Sequence, residues 1–99
     1  MITTPADTVP GLIGDLGRAG TKVAVVISAG PGAGPEAATL NARWQQRILD
    51  AAKPNLVRIV GPNCIGYASP RIGLNTSFGP GGLKAGRIAA VAQSGAVGK

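Results

Sequence analysis

Residues 60–66, Val60-Gly61-Pro62-Asn63-Cys64-Ile65-Gly66, run a short apolar strand straight into a turn of glycine, proline and two polar side chains. Proline fixes one backbone angle and the flanking glycines reach angles that other residues avoid. Asn63 and Cys64 supply the only side chains there with donor or acceptor chemistry. Two readings fit these residues taken alone: a ligand loop, or a structural turn in which Asn63 bonds its neighbouring backbone. Cys64 reads as a packed thiol, because no activating base accompanies it. What decides between the two is which other loops reach the same place.

Towards the N-terminus, Leu56–Val60 is a strand preceded by a helix that begins near Glu36 and stops at Pro54. Leu40, Trp44, Ile48 and Ala52 recur at every fourth position there, forming a core-facing stripe, while Arg43, Arg47 and Asp50 lie off it. The preceding stretch, Ser28 to Pro35, is too rich in glycine and proline for helix or sheet. Gly32 and Gly34 allow a phosphate loop there, but Pro31 and Pro35 remove donors, and a mobile surface loop fits equally well. Lys22–Ile27 is a continuous run of mostly β-branched residues, the pattern of a central parallel strand covered on both faces. Ahead of it lies a helix with Asp7 or Thr8 as cap, Pro10 in the first turn, Val9, Leu12, Ile13 and Leu16 on one face, and Gly20 as its stop. Gly11 and Gly14 each cost that helix about 1 kcal/mol relative to alanine, so packing has to hold it. Met1–Thr4 reads as the tail end of a strand closed by Pro5, and because a terminal strand normally has residues ahead of it, further sequence upstream is expected.

The order strand, helix, strand, helix, strand predicts an α/β fold with a parallel sheet built by right-handed crossovers. Such a sheet sends its exit loops to one edge. Thr4-Pro5, Ser28-Ala29-Gly30 and Gly61-Pro62-Asn63-Cys64 are therefore expected to converge where α/β sheets bind ligands.

Beyond Gly66 the sequence shows no sustained period up to Gly86, and residues 79–86 read as a linker. Arg87–Ala92 is expected to form a new strand. The Ser94-Gly95 turn after it, opening a helix of small residues, is expected to offer amide N–H groups and a helix dipole to an anion. It is not a nucleotide P-loop, which requires glycine at position 93 and a hydroxyl residue after the lysine.

Composition narrows the functional classes. The 99 residues make one small domain at most. A single cysteine rules out an internal disulfide, and the lack of histidine removes an ordinary zinc site, so no metal ligands are assigned. No apolar run approaches the ~20 residues that span a bilayer, and no export signal is visible, which predicts a cytoplasmic protein. The net charge of +6 favours anionic partners. The basic residues are scattered and aromatic residues few, which argues against nucleic acid. A phosphorylated small molecule or an acidic partner surface suits the charge.

Four segments together resemble a known family: Val-Ile-Ser-Ala-Gly at 26–30, Gly-Pro-Asn-Cys-Ile-Gly at 61–66, Gly-Leu-Asn-Thr-Ser-Phe at 73–78, and Gly-Arg-Ile-Ala-Ala-Val-Ala-Gln-Ser-Gly-Ala-Val-Gly at 86–98. In order and spacing they are similar to the NDP-forming acyl-CoA synthetases. That group includes the ADP-forming acetate–CoA ligases and is related to the succinyl-CoA ligase α subunit. The resemblance implies that residues 1–78 are the C-terminal part of a CoA-binding Rossmann-like domain lacking its first strand and glycine-rich turn. Residues 79–86 would be the linker and 87–99 the start of a flavodoxin-like domain.

It also implies interconversion of acyl-CoA, ADP and phosphate with acid, CoA and ATP through a phosphohistidine. By motif match, Thr4, Pro5, Ser28, Ala29 and Gly30 would lie along CoA and Asn63 near its thiol end, while Ser94 and Gly95 would hold phosphate. Ala92 stands where the family commonly has the first serine of Ser-Gln-Ser-Gly. The family's catalytic histidine would lie beyond Lys99, so no catalytic residue is assigned and the chain alone is expected to be inactive. ATP or ADP and Mg would enter only through other domains. The implied partners are CoA and the remaining ligase domains or subunit, and an oligomer is compatible with this reading. Two alternatives stand beside it: a stand-alone CoA or nucleotide-binding module without catalysis, and the CoA-ligase-like region of a protein lysine acetyltransferase.

Overall fold

The computed structural model describes residues 1–79 and 82–92. In chain order the elements are α1 (Val9–Arg18), β1 (Val23–Val25), α2 (Ala37–Ala52), β2 (Arg58–Val60), β3 (Ala68–Ser69) and β4 (Leu74–Asn75). β1 and β2 are parallel, with Val23 opposite Arg58, Ala24 opposite Ile59 and Val25 opposite Val60. On the other side of β1, Ile2 makes a parallel bridge to Val26. The Ile2 N–H donates to the Val25 carbonyl at 2.7 Å, and the Ile27 N–H donates to the Ile2 carbonyl at 2.9 Å. β1 is thus central, as its apolar run predicts.

Coverage of β1 on both faces, the other half of that expectation, is not observed. Ala24 and Val26 are buried, whereas Val23 on the opposite face is 54% exposed. The reason is topological. The path moves from Ile2 to β1 to β2 in one direction, and successive crossovers of one hand place both helices on one side of the sheet. Ile2, Ala24, Val26 and Val57 accordingly share a single core with Val9 and Ile13 of α1 and Trp44, Ile48 and Ala52 of α2.

Inside α1, Val9 and Ile13 are buried and Leu12 and Leu16 pack against the core, as the periodicity requires. Neither Asp7 nor Thr8 caps the helix. The Thr8 hydroxyl turns back instead, 2.7 Å from both the Thr4 hydroxyl and the Pro5 carbonyl oxygen. Close packing on a glycine falls at Gly17, not at Gly11 or Gly14. A Cβ there would sit 2.9 Å from Asn55 Cβ and 3.1 Å from Val57 Cγ2, so its absence lets α1 rest on the connection into β2.

α2 buries Trp44, Ile48 and Ala52, but Leu40 is exposed. Asn41 takes the inward place at that turn, against the glycines of the Ser28–Pro35 loop. The helix ends at Ala52 and continues as a 3₁₀ turn over Lys53–Asn55. Leu56 then adopts a left-handed conformation with φ of +53°, and the Val57 N–H donates back to the Ala52 carbonyl at 3.1 Å. This reversal explains why the strand begins at Arg58 and not at Leu56.

Residues 65–78 contain structure that the lack of periodicity concealed. β3 and β4 pair antiparallel, Ala68 with Asn75 and Ser69 with Leu74. The pairing is extended by the Thr76 N–H donating to Tyr67 at 2.8 Å and the Phe78 N–H donating to Ile65 at 3.1 Å. Gly66 permits it, since a Cβ there would lie 2.5 Å from Ser77 Cα and from the Thr76 oxygen. The strand expected at Arg87–Ala92 is not formed. Those residues are exposed and carry no strand assignment, and among the described residues no neighbouring strand pairs with their backbone, without which a strand has no stable form. Among the described residues, no helix is long and apolar enough to cross a membrane.

Two stability measurements test this packing. Ile48 is only 1% exposed, so Ile48→Ala should lower the unfolding free energy by about 2–5 kcal/mol in urea denaturation, whereas Leu49→Ala on the outer face should change it by less than about 0.5 kcal/mol. A Cβ at Gly11 meets nothing within 4 Å. Gly11→Ala should therefore stabilise the chain by about 0.5–1 kcal/mol, and Gly17→Ala, on the same helix, should destabilise it.

Candidate functional site

The exit loops of the three parallel segments meet at one edge, and they are bonded to one another. Ser28 is the hub. Its hydroxyl donates to the Thr4 carbonyl at 2.6 Å, and its own carbonyl accepts the Asn63 N–H at 3.0 Å. Central placement of β1 explains this, because only the loop leaving the middle strand has a neighbour on each side.

The turn after β2 comes unusually close to the end of β1. Gly61 has φ of +97°, and a Cβ on it would overlap the Val26 carbonyl oxygen. The Gly61–Pro62 peptide is cis and Asn63 is left-handed at φ of +55°, a region that asparagine tolerates better than most residues. The Cys64 thiol lies 3.2 Å from the Val26 carbonyl oxygen, to which it donates. It is therefore a half-buried packing group, as expected. The Asn63 side chain is exposed and makes no hydrogen bond to protein among the described residues. Its backbone holds the turn, so the alternative in which the side chain bonds neighbouring backbone is not realised and the amide is left facing solvent.

α2 braces this edge from below. Asn41 Oδ1 accepts the Gly32 N–H at 2.8 Å, and Trp44 Nε1 donates to the Ala6 carbonyl at 2.5 Å. Neither contact is evident from periodicity, which makes Trp44 a core residue and gives Asn41 no role. The available signal was a small polar residue one turn before a tryptophan and facing a glycine-rich loop.

Chemically the edge is neutral. Thr4-Pro5, Ser28–Pro35 and Gly61–Gly66 contain no charged side chain. They present backbone groups, hydroxyls, one amide and the Cys64 thiol, which is packed against the Val26 carbonyl; these can cradle a ligand, and no base stands among them to activate the thiol. Two grooves lie elsewhere, one of about 510 Å³ beside Gly11, Gly14 and Ala51, the other of about 210 Å³ beside Ala68 and Leu83. The sites expected at Thr4, Pro5, Ser28, Ala29, Gly30 and Asn63 are thus brought together, while Ser94 and Gly95 lie outside the described residues.

Residues 1–70 match the family described as CoA binding domain. Over 96 residues, 97% of the chain, the sequence is 38% identical to the ADP-forming acetate–CoA ligase I of Archaeoglobus fulgidus, of which it covers 14%. It is 35% identical over 98 residues to the alpha subunit of ADP-forming acetate–CoA ligase I of Pyrococcus furiosus, covering 99% of the chain and 21% of that subunit. Among solved structures, the dinucleotide forming acetyl-coenzyme A synthetase 1 of Ca. Korarchaeum cryptofilum, in complex with phosphate and ADP, superposes with a TM-score of 0.81 at 37% identity, over 98% of the chain and 20% of that protein. The chain spans between 14% and 21% of these proteins' lengths. The matched residues include all three loops joined at Ser28, and the chain belongs to the CoA-binding domain family.

Proposed function

We propose that the chain binds coenzyme A along this edge as the CoA-binding part of an ADP-forming acyl-CoA ligase. The observation that carries the reading is the hydrogen-bonded junction of three uncharged loops at Ser28, inside the span matched by the family. Thr4, Pro5, Ser28, Ala29 and Gly30 form the shelf along the ligand, and Asn63, with its free amide, meets the thiol end. The backbone groups and hydroxyls of the shelf orient CoA without exchanging protons with it.

The chemistry belongs to other parts of the ligase. With no histidine in the chain, a phosphohistidine step between acyl-CoA, ADP and phosphate on one side and acid, CoA and ATP on the other requires a residue supplied from elsewhere, as do the nucleotide and Mg sites. Within the chain, residues 1–78 serve CoA, 79–86 connect, and 87–99 begin the domain in which Ser94 and Gly95 hold phosphate. Such an enzyme works in the cytoplasm beside its remaining domains or partner subunit.

Isothermal titration tests the CoA assignment. The chain should give weak, saturable heats with CoA, and a flat titration would overturn the reading. Asn63→Gly tolerates the left-handed backbone and deletes the side chain with its amide. It should weaken CoA binding by about 2- to 12-fold, the range expected for one lost hydrogen bond. Unchanged affinity would remove Asn63 from the site.

A further inference from the structure

We propose that Asn41 is a positioning residue for coenzyme A, its side-chain carbonyl fixing the Ser28–Gly32 loop in the shape the ligand meets. The inference rests on the CoA reading above and adds a residue that does not belong to the shelf.

The loop has little of its own to hold it. Between Ser28 and Pro35 it consists only of alanine, glycine and proline, so it offers no side-chain hydrogen bonds beyond that of Ser28. Glycine-rich backbone also loses much freedom when fixed. Among the described residues, the Gly32 N–H has one partner, Asn41 Oδ1 at 2.8 Å. The fit is steric as well as polar. A Cβ on Gly30 would overlap Asn41 Oδ1 and lie 2.7 Å from its Cγ, and a Cβ on Gly32 would lie 2.8 Å from the same oxygen. The asparagine side chain therefore fills the notch at Gly30, shares the one at Gly32 with the Ala37 backbone, and bonds the loop from within it.

One helical turn further on, Trp44 completes the brace. Its Cε3 lies 3.3 Å from the ideal Cβ position of Gly30, while its indole N–H holds Ala6, next to the Thr4-Pro5 loop. One turn of α2 thus sets the relative placement of two loops that the CoA reading puts along the ligand. Trp44 is 3% exposed and belongs to the core, so substituting it would disturb the whole fold. Asn41 is half-buried and can be changed separately.

Asn41→Leu keeps the approximate size and removes the acceptor, and Asn41→Asp keeps both shape and acceptor. Each would be compared with the wild-type chain by hydrogen exchange at the Gly32 amide and by CoA titration, the latter in about 1 M salt, where a Debye length of about 3 Å mutes the added charge. Asn41→Leu should speed Gly32 exchange and weaken CoA binding, each by about tenfold, and Asn41→Asp should restore both to within about twofold, as expected if one hydrogen bond carries the effect. Unchanged Gly32 exchange in Asn41→Leu would overturn the positioning role. Faster exchange with unchanged CoA affinity would overturn its link to the ligand. A wild-type chain that gives no heat with CoA would overturn the CoA reading itself, with the exchange measurement still deciding whether Asn41 holds the loop. If Asn41→Leu does not fold, Asn41→Ala takes its place in the same comparisons.

Discussion

Parallel strands cannot be joined by a tight hairpin, because each must be re-entered from its starting end, and the return path needs a crossover long enough to hold a helix. In this chain two such crossovers follow one another in the same direction across Ile2, β1 and β2. Their common hand puts α1 and α2 side by side on one face, where one core serves both. The same constraint delivers all three exit loops to one edge and leaves β1 in the middle. Ser28, two residues beyond the buried Val26, is consequently the one that can bond to both neighbours.

The helices were legible in the sequence because each buries enough regularly spaced side chains to leave a period, and the parallel strands because short β-branched runs stand between helix ends and glycine- and proline-rich loops. Val9 and Ile13 in α1, and Trp44, Ile48 and Ala52 in α2, lie where the spacing puts them. The convergence of loops was legible too, since it follows from strand order alone. The exposed face of β1 was not, because a run of β-branched residues has the same appearance whether one or both faces are covered within the chain. Leu56 failed as a strand residue because its left-handed backbone is set by the end of the preceding helix and not by its own preference. The pairing of β3 with β4 escaped notice since two-residue strands are too short to show alternation. Arg87–Ala92 has strand composition but, among the described residues, no neighbour to pair with, and composition alone does not supply one.

At the candidate site, the convergence of the polar loops follows from strand order, and the contacts that support them do not. Thr4, Ser28 and Asn63 stand at strand ends, where topology directs attention. Asn41 lies in a helix nine residues from the glycine it bonds, and nothing in the helical period distinguishes it from the solvent-facing residues beside it. Long-range side-chain to backbone contacts of this kind leave no local pattern. They become visible only when the loop and the helix are placed together.

Much of this edge is defined by atoms that are missing. Gly30, Gly32 and Gly61 each occupy places where a single added carbon would collide with Asn41, Ala37 or Val26, respectively. An inventory of functional groups would therefore misjudge where the information lies. Truncating the polar side chains one at a time removes small, separable contributions, whereas a methyl group added at Gly32 or Gly61 meets backbone and forces the loop to shift, and one added at Gly30 expels the Asn41 amide from its place. The positions least able to vary are then those with no side chain, and drift in the sequence would be tolerated at a hydroxyl sooner than at an empty corner.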